Sequence, residues 1–193
     1  LIALVFTVVY MYDTLEFTQL LAVQPMRRSA ILGGQLLALA AALLLAQAIG
    51  LGLPLLVHSP TVAALVLSLS GSALVLVFAA LGALIALKQR EKARGVGVAL
   101  AIWFLFVLVY DALLMWGMFT LSDHPIEPFV VPLAGINPID LARIMVMLQV
   151  DLAAMMGYSG AIYKNFFGSV GGTIVAALIL SLWVAVPVLF AFR

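Results

Sequence analysis

No Asp, Glu, Lys or Arg interrupts the chain between Ser29 and Leu87 or between Asn165 and Phe192, and Asp111 stands alone between Gly95 and Ser122. A helix that crosses a bilayer needs about 20 apolar residues, so these runs hold two, one and one crossings, and Leu1 to Tyr10 reads as the tail of another. A soluble domain is excluded. Such domains carry about 25% charged residues, whereas this chain has 9% charged and 66% hydrophobic residues. The expected fold class is all-α: a polytopic membrane helical bundle forming a single transmembrane domain over 1–193. Its spans are expected at 1–12 (the end of one), 30–53, 61–87, 96–121 and 166–192. The chain opens on Leu in mid-run, without the charged flank of a signal peptide, so an N-terminal piece with at least one more span is expected before it.

The breaks between runs carry the topology. Gly50, Gly52 and Pro54 close the second run, and His58, Ser59 and Pro60 form the turn before the third. Arg27 and Arg28, the cluster KQREKAR at Lys88 to Arg94, and Arg193 are separated by pairs of spans, so all three lie on one side of the membrane. Basic loops face the cytoplasm. With these clusters inside, only Arg143 and Lys164 of the 9 basic residues are external. The C-terminus is then cytoplasmic. A net charge of +1 identifies no partner, and no nucleic-acid partner is expected. Cysteine is absent, which excludes disulfides, thiolate metal sites and a Cys nucleophile.

Residues 123–165 are expected to form an external insert. Pro125, Pro128, Pro132 and Pro138 stiffen its start. Asn137 as N-cap, Pro138 at the first helical position and Asp140 at the positive end open a helix running to about Met156. Leu141, Ile144, Met145, Leu148 and Leu152 give it an apolar stripe. Asp140, Arg143, Gln149 and Asp151 argue for a shallow or re-entrant helix rather than a crossing.

Several residues have chemistry to weigh. Asp111, beside Tyr110 in the middle of its span, belongs to a substrate or proton path, or is a structural partner for a Tyr, Ser or Arg, since an unpaired carboxylate in lipid is costly. Met145, Met147, Met155 and Met156, with His58 and His124, allow a soft Cu(I) path, but methionine is also an adaptable packing residue; no metal site is assigned. Gly168 and Gly172 form a GxxxG packing motif. The string GYSG at Gly157 to Gly160 is similar to the GxSG of rhomboid intramembrane proteases. That would make Ser159 a nucleophile, yet both histidines precede it, and a flexible turn explains the glycines more simply. No phosphate-binding GxxxxGK[ST] is present, so ATP is not hydrolysed by this chain.

The most informative stretch is DTLEFTQLLAVQPMRR, Asp13 to Arg28. Asp13 or Thr14 is placed to cap a short helix with Leu15, Leu20 and Leu21 on its apolar side, ended by Pro25 before a basic elbow at residues 13–29. The order TLE, LL, QP, RR leading into an apolar run resembles the cytoplasmic elbow of ABC-2 type (type V exporter-like) transporter permeases. YD at Tyr110 and Asp111, with NPID at Asn137 to Asp140 and then Arg143, is similar more narrowly to the permease of the nitrous-oxide reductase maturation transporter. The resemblance implies six spans, a second permease copy, and a separate ATP-binding subunit holding ATP and Mg. It implies docking through Thr14, Leu15, Glu16, Leu20, Leu21, Gln24, Pro25, Arg27 and Arg28, with a second contact at Lys88 to Arg94. Asn137, Pro138, Asp140 and Arg143 would gate the outer end or receive a periplasmic accessory protein. It further implies a bacterial cytoplasmic (inner) membrane location, no cofactor bound by this chain, no catalytic residue, and a copper or sulfur cargo. Other classes compete with it: an exporter of a drug, lipid or ion, an intramembrane serine hydrolase using Ser159, and a scaffold recruiting partners through the external helix.

Overall fold

The computed structural model describes residues 1–25, 27–58, 61–120, 132–133, 135–149 and 170–192. Ser159, His124, Asp151, Lys164 and the methionines at 155 and 156 lie outside the described residues. Within them the chain is helical: α1 (Ile2–Asp13), α2 (Leu15–Ala22), α3 (Arg28–Gln47), α4 (Leu53–His58), α5 (Val62–Lys88), α6 (Lys92–Phe104), α7 (Tyr110–Thr120), α8 (Pro138–Gln149) and α9 (Val170–Ala191). Among the described residues, four helical stretches are long and apolar enough to cross a membrane: Arg28–His58, Val62–Lys88, Lys92–Gly117 and Gly172–Ala191. The all-helical, multi-pass class is what the charge-free runs dictate.

The hub is α5, and α1, α3, α8 and α9 all pack on it. It starts cleanly because Thr61 Oγ1 accepts the Ala64 amide N–H at 3.2 Å, an N-cap. Against it lie Leu4 and Val8 of α1, which with Phe78, Ile85 and Ala99 make a buried apolar cluster. Two glycines set this approach. A Cβ on Gly82 would sit 2.7 Å from the Leu4 carbonyl oxygen, and one on Gly95 would sit 2.8 Å from the Tyr12 hydroxyl. Small residues let helix backbones close up where lipid supplies no hydrophobic drive between helices.

The ends of the helices agree with the charge reading. Tyr12 OH donates to the Gln89 carbonyl at 3.0 Å, Lys88 Nζ lies 6.0 Å from the Phe190 ring, and a Cβ on Gly33 would lie 3.7 Å from the Phe192 ring. The end of α1, the start of α3, the α5–α6 connection and the end of α9 therefore share one end of the bundle, which we term the basic end.

Two local features differ from the sequence reading. The second run does not stop at Gly50, Gly52 and Pro54: α3 passes through a π turn at Ala48–Gly52 into α4, so one helix continues to His58. A local π adjustment is a recognised way for a membrane helix to absorb Gly and Pro. Polar side chains hold it there, since Gln47 Nε2 donates to the Ser68 carbonyl at 3.2 Å and Ser72 Oγ donates to Gln47 Oε1 at 2.8 Å. Second, Asp111 is not at the middle of its helical stretch but is the twentieth of the 26 residues from Lys92 to Gly117, toward the end that meets α8.

Candidate functional site

Two constellations stand at opposite ends of the bundle. At the basic end, α2 lies across the start of α3, where Gln35 Nε2 donates to Thr18 Oγ1. Thr14 and Thr18 turn inward, their hydroxyls donating to the Tyr10 and Thr14 carbonyls at 2.8 Å each. Neither Asp13 nor Thr14 caps α2 with its side chain, in contrast to the sequence expectation: Thr14 occupies the N-cap position without a side-chain cap bond, and Asp13 is engaged elsewhere. Its Oδ1 pairs with Lys92 Nζ at 2.6 Å. Together with the Tyr12 to Gln89 bond, this ties the corner between α1 and α2 to the start of α6.

The outer face of α2 is left open. Leu15 is 49%, Phe17 60% and Leu20 70% exposed, and Glu16, Gln24, Pro25, Arg27 and Arg28 are exposed beside them. Thr14 and Leu21 are half-buried, so the nine residues named from sequence divide into seven on the open surface and two that seat the helix.

At the far end, the segment before α8 is fastened to two spans. Asn137 is fully buried. Its Oδ1 accepts the Ile139 amide N–H at 3.0 Å, the N-cap role, while Nδ2 donates to the Phe106 carbonyl at 2.7 Å and to Asp140 Oδ2 at 3.0 Å. The Phe106 carbonyl lies in a second π turn, Leu105–Val109. A side chain entering the hydrogen-bond ladder is one of the recognised causes of such a distortion. Tyr110 OH donates to the Leu133 carbonyl, and Trp183 Nε1 of α9 donates to the Gly135 carbonyl at 3.2 Å. The Phe106 and Trp183 rings meet edge to face at 5.5 Å.

Arg143 closes this clamp. Its Nη1 donates to Asp111 Oδ2 at 2.9 Å and lies 3.2 Å from Asp140 Oδ1. The second contact is at ion-pair distance but completes no hydrogen bond, leaving Oδ1 buried without a directed donor. Burial first, and then the neighbouring Asp111 carboxylate, raises Asp140 to about 6, against the opposing pull of Arg143 and Asn137. Of the structural partners that the sequence offered Asp111, a Tyr, Ser or Arg, the one met here is an arginine.

No protein-family model matches the chain. Over 149 residues, 72% of the chain, it is 36% identical to the "Probable ABC transporter permease protein NosY" of Pseudomonas aeruginosa. Over 186 residues, 90% of the chain, it is 31% identical to the protein of the same name from Stutzerimonas stutzeri. The chain is related to the NosY permeases of ABC transporters. It spans 54% and 65% of the lengths of these two relatives.

In this NosY relative, sequence reasoning named Tyr110 and Asp111 as one candidate group and Asn137, Pro138, Asp140 and Arg143 as another, and the structure gathers both at one end of the bundle. It missed Phe106, Trp183 and Gly135, whose contributions are a main-chain carbonyl, a ring and another carbonyl. Tyr12 and Phe17 were also missed at the basic end, and Asp13 was named only as a helix cap. Phe17 had a signal, an aromatic residue inside the elbow motif. The Ser159 motif lies outside the described residues.

Proposed function

We propose that the chain is the membrane-spanning part of an ABC transporter permease subunit, moving a cargo across the bacterial cytoplasmic membrane on ATP hydrolysed by a separate subunit that docks on α2. The observation that carries this reading is the open face of α2, which packs from behind on α1 and α3, while the end of α1 just before it is tied to α6. A partner pushing on Leu20 and Phe17 moves a helix whose neighbours begin three different crossings or packing surfaces. ATP-driven closure of two such subunits on a pair of permease copies would then switch the bundle between two discrete arrangements, biasing each by different contacts.

The far clamp supplies the other half. Asn137, Asp140, Asp111 and Arg143 lock the segment leading into α8 against the outer end of one span, and Trp183 holds it to a second, as a gate or as a seat for a periplasmic accessory protein. The finer cargo reading, a copper or sulfur species for nitrous-oxide reductase maturation, rests on the YD and NPID strings and on the kinship with NosY-named permeases. Without cysteine, contact with copper would fall to Met, His and carboxylates.

The test is copurification of the tagged full-length protein from its native membrane, with and without Leu20→Asp. An ATP-binding subunit recovered with the wild type and lost with the variant, both inserted to the same level, is the expected result. Equal recovery with both removes α2 as the docking face. Failure to recover any ATP-binding subunit under several extraction conditions removes the transporter mechanism.

A further inference from the structure

A cavity of about 390 Å³ lies between α3, α5 and α9, walled by Gly33, Leu37, Ala40, Ala80, Val188 and Phe192 among others, all apolar. That volume is in the range of sites that hold small molecules, about 300 to 1,000 Å³. Its hollowness comes from the small residues: glycine and alanine on α3 and α5 face the larger side chains of α9. The cavity is open to the side, because Leu37 is 73% exposed and Phe192 44% exposed. It occupies the half of the bundle toward the basic end, where Gly33 meets Phe192.

Following α3 toward that end, Leu37, Gly33 and Ser29 follow one another at four-residue spacing along one helix face. The face leads to the first turn of α3, where Arg27 and Arg28 are exposed. Gly33 is five residues from Arg28, about 7.5 Å along the axis. Neither arginine forms an ion pair among the described residues, and both stand at the positive end of a 20-residue helix. An apolar slot at inner-leaflet depth, with unneutralised positive charge at the headgroup level below it, is complementary to one class of molecule.

We propose that this cavity binds an anionic phospholipid, one acyl chain lying in the slot and the phosphate resting against Arg27 and Arg28. A zwitterionic lipid would fill the slot equally well but gains less at the arginines, and attraction to an anionic surface is worth roughly fivefold in affinity for each basic residue, about 25-fold for two.

The proposal is tested by native mass spectrometry of the purified full-length protein with added phosphatidylglycerol or phosphatidylcholine. Wild type is expected to retain phosphatidylglycerol preferentially. Arg27→Gln with Arg28→Gln is expected to weaken that lipid about 25-fold and phosphatidylcholine by much less, so that the preference between the two is lost. Gly33→Leu, which fills the slot, is expected to remove both, and Ala40→Leu serves the same end if the first variant is poorly inserted. Equal retention of the two lipids by wild type, or phosphatidylglycerol retention unmoved by the arginine and slot-filling variants, overturns the proposal. So does efficient oxidative cross-linking of Leu37→Cys between two copies with no lipid retained, which would assign the cavity to a second copy of the chain.

Discussion

Arg143 serves two carboxylates from one guanidinium nitrogen, and the two are not equivalent. Asp111 takes the directed hydrogen bond, whereas Asp140, with a side chain only 8% exposed, is held by charge alone on one oxygen. Its proton affinity follows: the carboxyl rises from 3.8 to about 6. Because the folded-state value is the higher one, the folded protein binds more protons than the unfolded chain between these two values. Stability therefore falls as pH rises through that window and stays at the lower level above about 6. Asp140→Asn keeps an acceptor for Asn137 and cannot titrate. We expect the midpoint of thermal unfolding, followed by tryptophan fluorescence in detergent, to fall less between pH 4 and pH 7 in this variant, and to be no lower than wild type at pH 7.5. Parallel curves for the two proteins would remove Asp140 as the titrating group.

At the scale of elements, the junction of α1 with α5 depends on what is missing from Gly82. A Cβ there would meet the Leu4 carbonyl at 2.7 Å and Thr7 Cβ at 2.9 Å. The first is backbone and cannot rotate aside, so Gly82→Val must push α1 off its seat. Overpacking of this kind costs about 1 to 3 kcal/mol. Gly34→Ala, where an added Cβ meets nothing within 4 Å, should change stability by under about 1 kcal/mol, and in the favourable direction from helix propensity. Denaturation of the two variants in parallel checks the contrast; equal losses would mean that α1 does not pack on Gly82. The contrast also shows the limit of reading glycines in sequence. Gly33, Gly34, Gly82 and Gly95 all sit in apolar or basic runs without distinguishing neighbours, and only the facing helix separates a tight contact from open space. The same holds for Gly50 and Gly52, read as a helix end because Gly and Pro usually punctuate. Gln47, with Ser68 and Ser72 across the groove, accompanies the π turn that carries the helix through them.

For the whole molecule, the absence of charge over long runs was enough to specify helices that cross a membrane, since only a helix satisfies its own backbone there. The spacing of arginines and lysines also specified which helix ends come together. The NPID string announced a capped helix, and Asn137 does cap α8. The partners that Asn137 and Tyr110 reach could not be read, because Phe106 and Leu133 answer through carbonyls that every residue possesses. Nor could the tie between the two basic-end segments, since Asp13 and Lys92 are far apart in sequence and each has a plausible local role. That tie carries the last prediction. The pair is about half exposed on each side, 50% and 58%, so its worth to stability is under about 1 kcal/mol. Its worth to coupling is different. If α2 transmits force, the Lys92 and Asp13 pair is where displacement of the elbow passes from the last residue of α1 to α6 without going through the hub. Lys92→Glu should therefore leave insertion and unfolding nearly unchanged while lowering transport per ATP hydrolysed severalfold, and adding Asp13→Lys should restore it by re-forming the pair with reversed charge. Both quantities are measured on the reconstituted full-length complex. A double variant no better than Lys92→Glu alone would show that the elbow reaches the bundle by another route, with Tyr12 on Gln89 the next contact to break.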